Sequence, residues 1–345
     1  MRILRWLIAK YYVCKEAFLL RIVAWAKRHE RIAKYYWFRE ALLLRLARPS
    51  SSPVGLLPTY QVYPDFRFEN IPSLQIPVTT YPGRLPFRSE LCSETHFFLD
   101  HYRFWCTQLN DKPRFHRKQW EFVYILQALK ERGLLQSTMR GLGFGIGREP
   151  LVSFFASQGC EILATDLEIE LASELGWTGA NQKAQSIGEL NASGLCDDEM
   201  FRSLVQYQDL DMNNIPVEIK GFDFCWSACS LEHLGSIANG RRFIRNSIQT
   251  LVPGGWAVHT TEFNLTSNHH TVDNHPTVIF RKRDIEAIIS DVLDDGHFAE
   301  PLLLHNGVRV DRHIDAPPYK SEPHLRLQLG RYATTSIGLI VKRVH

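Results

Sequence analysis

From residue 118 onward, short apolar runs alternate with stretches whose apolar residues recur every three or four positions. The runs Glu161–Thr165 (EILAT), Val205–Asp209, Phe222–Ser227 (FDFCWS), Trp256–Glu262 (WAVHTTE) and Thr335–Lys342 (TSIGLIVK) read as strands. Between them the helical spacing predicts helices after Gly147, before Phe201, over Gly240–Leu251 and over Lys282–Leu293, whose first turn contains Asp284 and Glu286. Upstream, Thr95–Cys106 and Lys118–Arg132 also read as helices. In the second, Trp120, Val123, Leu126 and Leu129 form the buried stripe and Gly133 is the stop. Alternating strands and helices argue an α/β fold, a parallel sheet covered on both faces.

The first 48 residues follow another pattern. Ile8–Ile22 (IAKYYVCKEAFLLRI) and Ile32–Leu46 (IAKYYWFREALLLRL) are copies offset by 24 residues, identical at ten of fifteen positions. In each copy Tyr11, Cys14, Phe18 and Ile22, then Tyr35, Phe38, Leu42 and Leu46, line one helix face. No Gly or Pro interrupts the stretch before Pro49. Residues 1–48 are therefore expected to be a basic amphipathic helical extension. Residues 49–117 begin with a Pro-rich arm, where frequent prolines exclude long helix, and end in the first predicted helix.

Charge separates the same regions. Residues 1–50 hold 12 Lys/Arg against 3 Asp/Glu, a balance of +9, whereas the remainder carries −6. No run of about 18 residues in the repeat is free of charge, as a transmembrane span would require. Lys10 and Lys15 interrupt any signal-peptide core. The repeat suits either packing on the chain's own domain or a second subunit, or an anionic membrane surface. The acidic remainder argues against nucleic acid, whose binding surfaces are basic. Seven scattered cysteines with no CxxC pair argue against a disulfide framework or a cysteine zinc site. A reducing, cytoplasmic setting fits, with peripheral membrane contact through the repeat.

The chemistry concentrates in Gly141–Glu168, GLGFGIGREPLVSFFASQGCEILATDLE. Strand, glycine loop, helix, strand and acid follow one another, with 19 residues from Gly147 to Asp166. Glycines let the backbone approach a ligand closely, and an acid at the next strand's tip can accept hydrogen bonds from ribose hydroxyls. The pattern indicates a nucleoside cofactor.

Further signals occur in one order. Asp211-Met212 follows the next strand, Phe222–Ser227 leads to Glu232-His233, and Pro253-Gly254-Gly255 precedes a strand ending HTTEFN. Together these motifs, over about residues 118–345, resemble the class I S-adenosylmethionine-dependent methyltransferases, and more specifically bacterial methyltransferases of glycan and cell-surface biosynthesis. The resemblance implies a doubly wound, mostly parallel seven-stranded sheet, with S-adenosylmethionine as cofactor. It implies cofactor contacts from Gly143, Gly145 and Gly147, from Asp166 to the ribose, and from Asp211 and Met212 to the adenine edge. The family usually carries an acid two residues before the first loop glycine. Here that position is Gly141, and Glu149, just past the loop, is the candidate substitute.

The expected reaction is methyl transfer to a hydroxyl of a sugar or related polar small molecule. His259, His233, Glu232 and Glu262 are the candidate catalytic groups, since open α/β sheets place ligands at the strands' carboxyl ends. Glu232-His233 also resembles half of a Glu-x-x-Glu-His metal ligand set, with His275 as a distant further ligand. The first acid of that set falls on Cys229, so no metal is expected. The alternatives are a non-catalytic interaction module that keeps the fold, motivated by Gly141, and a nucleic-acid methyltransferase.

Overall fold

The computed structural model describes residues 87–167, 187–304 and 309–345. The helical repeat of residues 1–48 and the Pro-rich arm up to residue 86 lie outside the described residues. In chain order the described elements begin with β1 (Ser89–Leu91), α1 (Asp100–Gln108), α2 (Arg117–Glu131), β2 (Arg140–Phe144), α3 (Leu151–Ser157) and β3 (Glu161–Asp166). They continue through α4 (Asp198–Leu204), β4 (Val205–Asp209), β5 (Phe222–Ala228), α5 (Ile237–Gln249), β6 (Leu251–Asn264) and α6 (Lys282–Asp294). Four more strands close the list: β7 (Phe298–Ala299), β8 (Leu302–Leu303), β9 (Leu327–Leu329) and β10 (Tyr332–Lys342).

The sheet runs β4-β3-β2-β5-β6-β10-β1-β8, and β7 and β9 pair with β10 off this path. Strands β2 to β6 are mutually parallel, and β10 runs antiparallel to β6. This is the Rossmann-like methyltransferase fold expected above. The seventh strand position is divided. The short strands β9, β1 and β7 follow one another along the edge of β10 away from β6. Residues 87–117, whose described part was expected to contribute only a helix beside an arm, thus supply a strand of the sheet and, through Phe97, Tyr102 and Trp105, part of the core.

Two apolar layers cover the sheet. One gathers Trp120, Phe155, Phe224 and Trp226 under α1, α2 and α3; the other gathers Phe144, Phe243 and Ile285 under α5 and α6. Period-two alternation decides which layer each strand residue joins. On β6, Val258 belongs to the first layer and Ala257 to the second. Strand order reverses between β2 and β5, the switch point at which such sheets bind ligands beyond their carboxyl ends.

Candidate active site

The candidate donor side is built on the end of β2. Gly141 and Gly143 lie directly across from Phe224 and Trp226 of β5. A Cβ at Gly141 would stand 2.5 Å from the Phe224 ring, and one at Gly143 2.5 Å from the Trp226 ring. These two glycines are needed because neighbouring aromatic rings fill their side-chain space. The absence of an acid at 141 has the same cause.

The loop then turns through Gly145 (φ +59°) and Gly147 (φ +49°), a backbone that other residues adopt only with strain. Gly145 O accepts a bond from Ser230 Oγ (2.8 Å), which ties this loop to the one after β5. Gly147 N–H donates to Asp166 Oδ2 (3.1 Å) and Leu167 N–H to Oδ1 (2.8 Å), so the Asp166 carboxylate is half-buried against the loop. Asp211 accepts bonds from Asn213 N–H (2.8 Å) and Asn214 Nδ2 (2.7 Å) within its own turn. Met212 is buried, with its sulfur 3.3 Å from where a Gly145 Cβ would be.

Glu149 is buried and accepts a bond from the indole N–H of Trp226 (2.5 Å). The ring that excludes a side chain from 143 therefore orients this acid. Burial pushes the Glu149 carboxyl up to about 8, against the Trp226 bond and the Lys118 charge that lower it.

The candidate acceptor side is assembled from distant parts of the chain. The N-terminal part of α2 contributes Arg117, Lys118 and Glu121. The Arg117 guanidinium pairs with Glu262 Oε2 (2.8 Å), donates to Ser336 Oγ (3.0 Å) and lies 3.6 Å from Glu121 Oε1. Lys118 Nζ reaches Glu121 Oε2 (3.2 Å) and Ala228 O (2.7 Å). Cys229, held at φ +53°, points its thiol to Glu121 Oε1 (2.9 Å). Glu232 Oε2 accepts from Thr261 Oγ1 (3.0 Å). Burial raises the Glu232 carboxyl and pushes Glu262 up to about 7, the latter against the lowering charge of Arg117.

The structure thus brings Glu232 and Glu262 together and separates the two histidines from them in role. His259 has no exposed surface. Its ring nitrogens bond Ser227 Oγ (2.8 Å) and Ser247 Oγ (3.1 Å), and burial pushes it down to about 3. It lies three residues before Glu262 on the same strand, hence on the opposite face. These surroundings are those of a satisfied core histidine and speak against the base expected at His259. His233 Nδ1 faces Pro276 O (3.2 Å) in its turn, and burial pushes it down to about 4, which suits a backbone-bonding role. His275 is exposed and bonds Thr277. Among the described residues, no group of three or more His, Cys, Asp or Glu side chains is placed to hold a metal ion.

Arg117, Lys118, Glu121 and Ser336 were not among the residues expected at the site. The available signal was an Arg-Lys-x-x-Glu run opening a helix whose stripe is otherwise apolar.

A methyltransferase domain family model matches residues 142–259, the span from β2 to β6. The chain carries an S-adenosylmethionine-dependent methyltransferase domain. The comparison with curated proteins returned no match. Solved structures similar to this methyltransferase domain include an S-adenosylmethionine-dependent methyltransferase from Clostridium acetobutylicum (13% identity, 66% of this chain and 92% of that chain, TM-score 0.39). Another is from Aquifex aeolicus (14% identity, 62% and 88%, TM-score 0.35). A third, from Galdieria sulphuraria, shares 17% identity over 52% of this chain, which spans about half (51%) of that protein, with a TM-score of 0.32.

The donor-side residues fit the cofactor chemically. S-adenosylmethionine carries an ammonium and a sulfonium. The methyltransferase domain supplies a buried carboxylate, Glu149, whose ionisation a cation would favour, and a second carboxylate, Asp166, at the tip of β3.

Proposed function

We propose that the chain methylates a hydroxyl of a sugar or related polar small molecule, as in glycan biosynthesis. Gly145 and Gly147 would carry the cofactor on the loop backbone, Asp166 would hold the ribose, Asp211 and Met212 the adenine edge, and Glu149 the ammonium of the methionine end. Bound there, S-adenosylmethionine supplies a methyl carbon whose bond to sulfur breaks, with its electron pair, as the acceptor oxygen bonds to carbon. The chain's own residues then have two tasks. They must orient the hydroxyl, and they must take its proton.

The observation that carries the hydroxyl reading is the state of Glu262. It is a buried carboxylate at the carboxyl end of β6, with a pKa brought to about 7. A base whose pKa is near ambient pH combines a useful ionised fraction with proton affinity. Glu232 stands beside it as the second carboxylate. The experiment is to incubate the full chain with S-adenosylmethionine and panels of glycosides, amines and phenols, following S-adenosylhomocysteine release. Turnover with glycosides supports the reading; turnover confined to amines contradicts the hydroxyl acceptor, and turnover confined to phenols contradicts the sugar.

We also propose that residues 1–48 attach the enzyme to an anionic membrane surface or to a second subunit. Among the described residues no helix is long and apolar enough to cross a membrane. Flotation with anionic vesicles, comparing the full chain with one lacking residues 1–48, tests the membrane part. Equal flotation of the two would remove it.

A further inference from the structure

Two buried glutamates share one guanidinium at the acceptor side, and they are treated unequally. Glu121 is the more heavily engaged of the two, although among the described residues its Oε2 meets only the Lys118 ion pair (3.2 Å) and no hydrogen bond. It has Arg117 and Lys118 as cationic neighbours, and it accepts bonds from Ser336 Oγ (2.5 Å) and Cys229 Sγ (2.9 Å). Glu262 is held through Oε2 by Arg117 (2.8 Å), while its Oε1 is buried and meets no donor at hydrogen-bonding geometry among the described residues. Both carboxylates are almost wholly buried.

The geometry arises from register and helix start. Ser336 of β10 lies directly opposite Glu262 of β6. Arg117 is the first residue of α2, and its backbone N–H donates to His324 O (3.0 Å), which fixes where the side chain departs. The planar guanidinium then spans Ser336 with one nitrogen and Glu262 with the other, a span that a single ammonium cannot reproduce. Lys118 cannot substitute, being committed to Glu121 and Ala228 O.

We propose that Arg117 is the positioning residue of the acceptor side, gripping Glu262 by one carboxylate oxygen so that the other receives the acceptor's hydroxyl. The proposal rests on the hydroxyl reading above. The groups facing Glu262 are Arg117 and Glu121 from α2, Glu232 from the turn after β5, Thr334 and Ser336 from β10, and Tyr319 from the segment before β9. Burial raises the Glu262 carboxyl most; Arg117 lowers it, Glu232 raises it, a bond from the Thr334 side chain lowers it, and Glu121 raises it less. Arg117 is therefore the only cation among the groups that set its proton affinity.

The test follows the Glu262 carboxyl directly and needs no acceptor. The full chain is labelled with 13C at glutamate carboxyls and titrated by NMR, with Glu262→Gln assigning the signal. Thermal melting and S-adenosylhomocysteine calorimetry confirm that each variant is folded. Wild type should titrate near neutrality. Arg117→Gln should raise the midpoint by about 1–3 pH units, the range for losing an opposite charge at this distance. Arg117→Lys should raise it by less. Glu121→Gln should lower it, because a like charge is removed and Arg117 is released toward Glu262. A Glu262 midpoint unmoved in folded Arg117→Gln overturns the proposal. If that variant does not fold, an unmoved midpoint in both Arg117→Lys and Glu121→Gln overturns it, and opposite shifts in the two support it. Failure of the hydroxyl reading looks different. The acceptor panel would then respond to amines while the titration still followed Arg117.

Discussion

On the donor side, the bond from Gly147 N–H to the Asp166 carboxylate spans 19 residues of sequence; on the acceptor side, the bond from Arg117 to Ser336 spans 219. The donor side presents mostly backbone, a glycine loop against one carboxylate. The acceptor side presents mostly charged side chains, Arg117, Lys118, Glu121, Glu232 and Glu262, drawn from one helix and two loop-bearing strands. The matched methyltransferase span, residues 142–259, holds nearly all the donor residues, whereas Arg117, Glu121, Glu262 and Ser336 fall outside it. A nucleoside cofactor is the same molecule wherever it binds, so a local motif can specify its holder. An acceptor is read by side chains that only the tertiary fold brings together.

If the two sides divide labour in this way, acceptor-side changes should cost rate and donor-side changes affinity. The largest effect is expected for Glu262→Gln. It should lower kcat by about 10²–10⁴-fold, the usual loss of a general base, with S-adenosylhomocysteine affinity little changed. His259→Gln, on the other face of the same strand, should leave kcat near wild type and show only in thermal stability. Assaying both with a glycoside acceptor checks the contrast, and equal losses would break it.

A smaller effect sharpens the donor side. Gly141→Asp restores the acid that the family pattern carries, yet its Cβ would stand 2.5 Å from the Phe224 ring. Overpacking costs about 1–3 kcal/mol, and a charge forced into that layer adds to it. Denaturant unfolding should therefore show a loss of about 3 kcal/mol with no gain in cofactor affinity. Unchanged stability would mean that the aromatic pair does not set the glycines.

The last effect is a pH dependence. Glu149, raised to about 8 by burial, keeps a proton in the folded chain that the unfolded chain has already released above about 4.5. Folding then binds the extra proton, so this group's contribution to stability declines as pH rises from about 4.5 to 8. Thermal midpoints of the ligand-free chain should fall less steeply across that window in Glu149→Gln than in wild type. Parallel curves would deny the shift.

Much of the fold was legible in the sequence because the long strands are short apolar runs bounded by helices of clear period. Val205–Asp209 falls where its pattern places it, and α2 ends at the glycine that stops it. The divided seventh position was not legible, since β1, β7 and β9 are three residues or fewer and are defined by distant pairing, all three with β10 and β1 with β8 as well. Asp166 and Glu149 could be singled out by spacing from the glycines. His259 misled because a histidine near a strand end looks the same on either face, and only its parity against Glu262 tells which layer it joins. Arg117 carried only the faint local mark of its Arg-Lys-x-x-Glu run, since its partners Glu262 and Ser336 come from the far end of the chain.

The central claim is that the Asp166 carboxylate, set against the 143–147 loop, holds the cofactor's ribose. Calorimetry of S-adenosylhomocysteine binding to wild type and to folded Asp166→Ala tests it. Losing hydrogen bonds to a charged acceptor, worth about 1.5–3 kcal/mol, should weaken binding by roughly 10–150-fold. Equal affinity in the two proteins would contradict the claim.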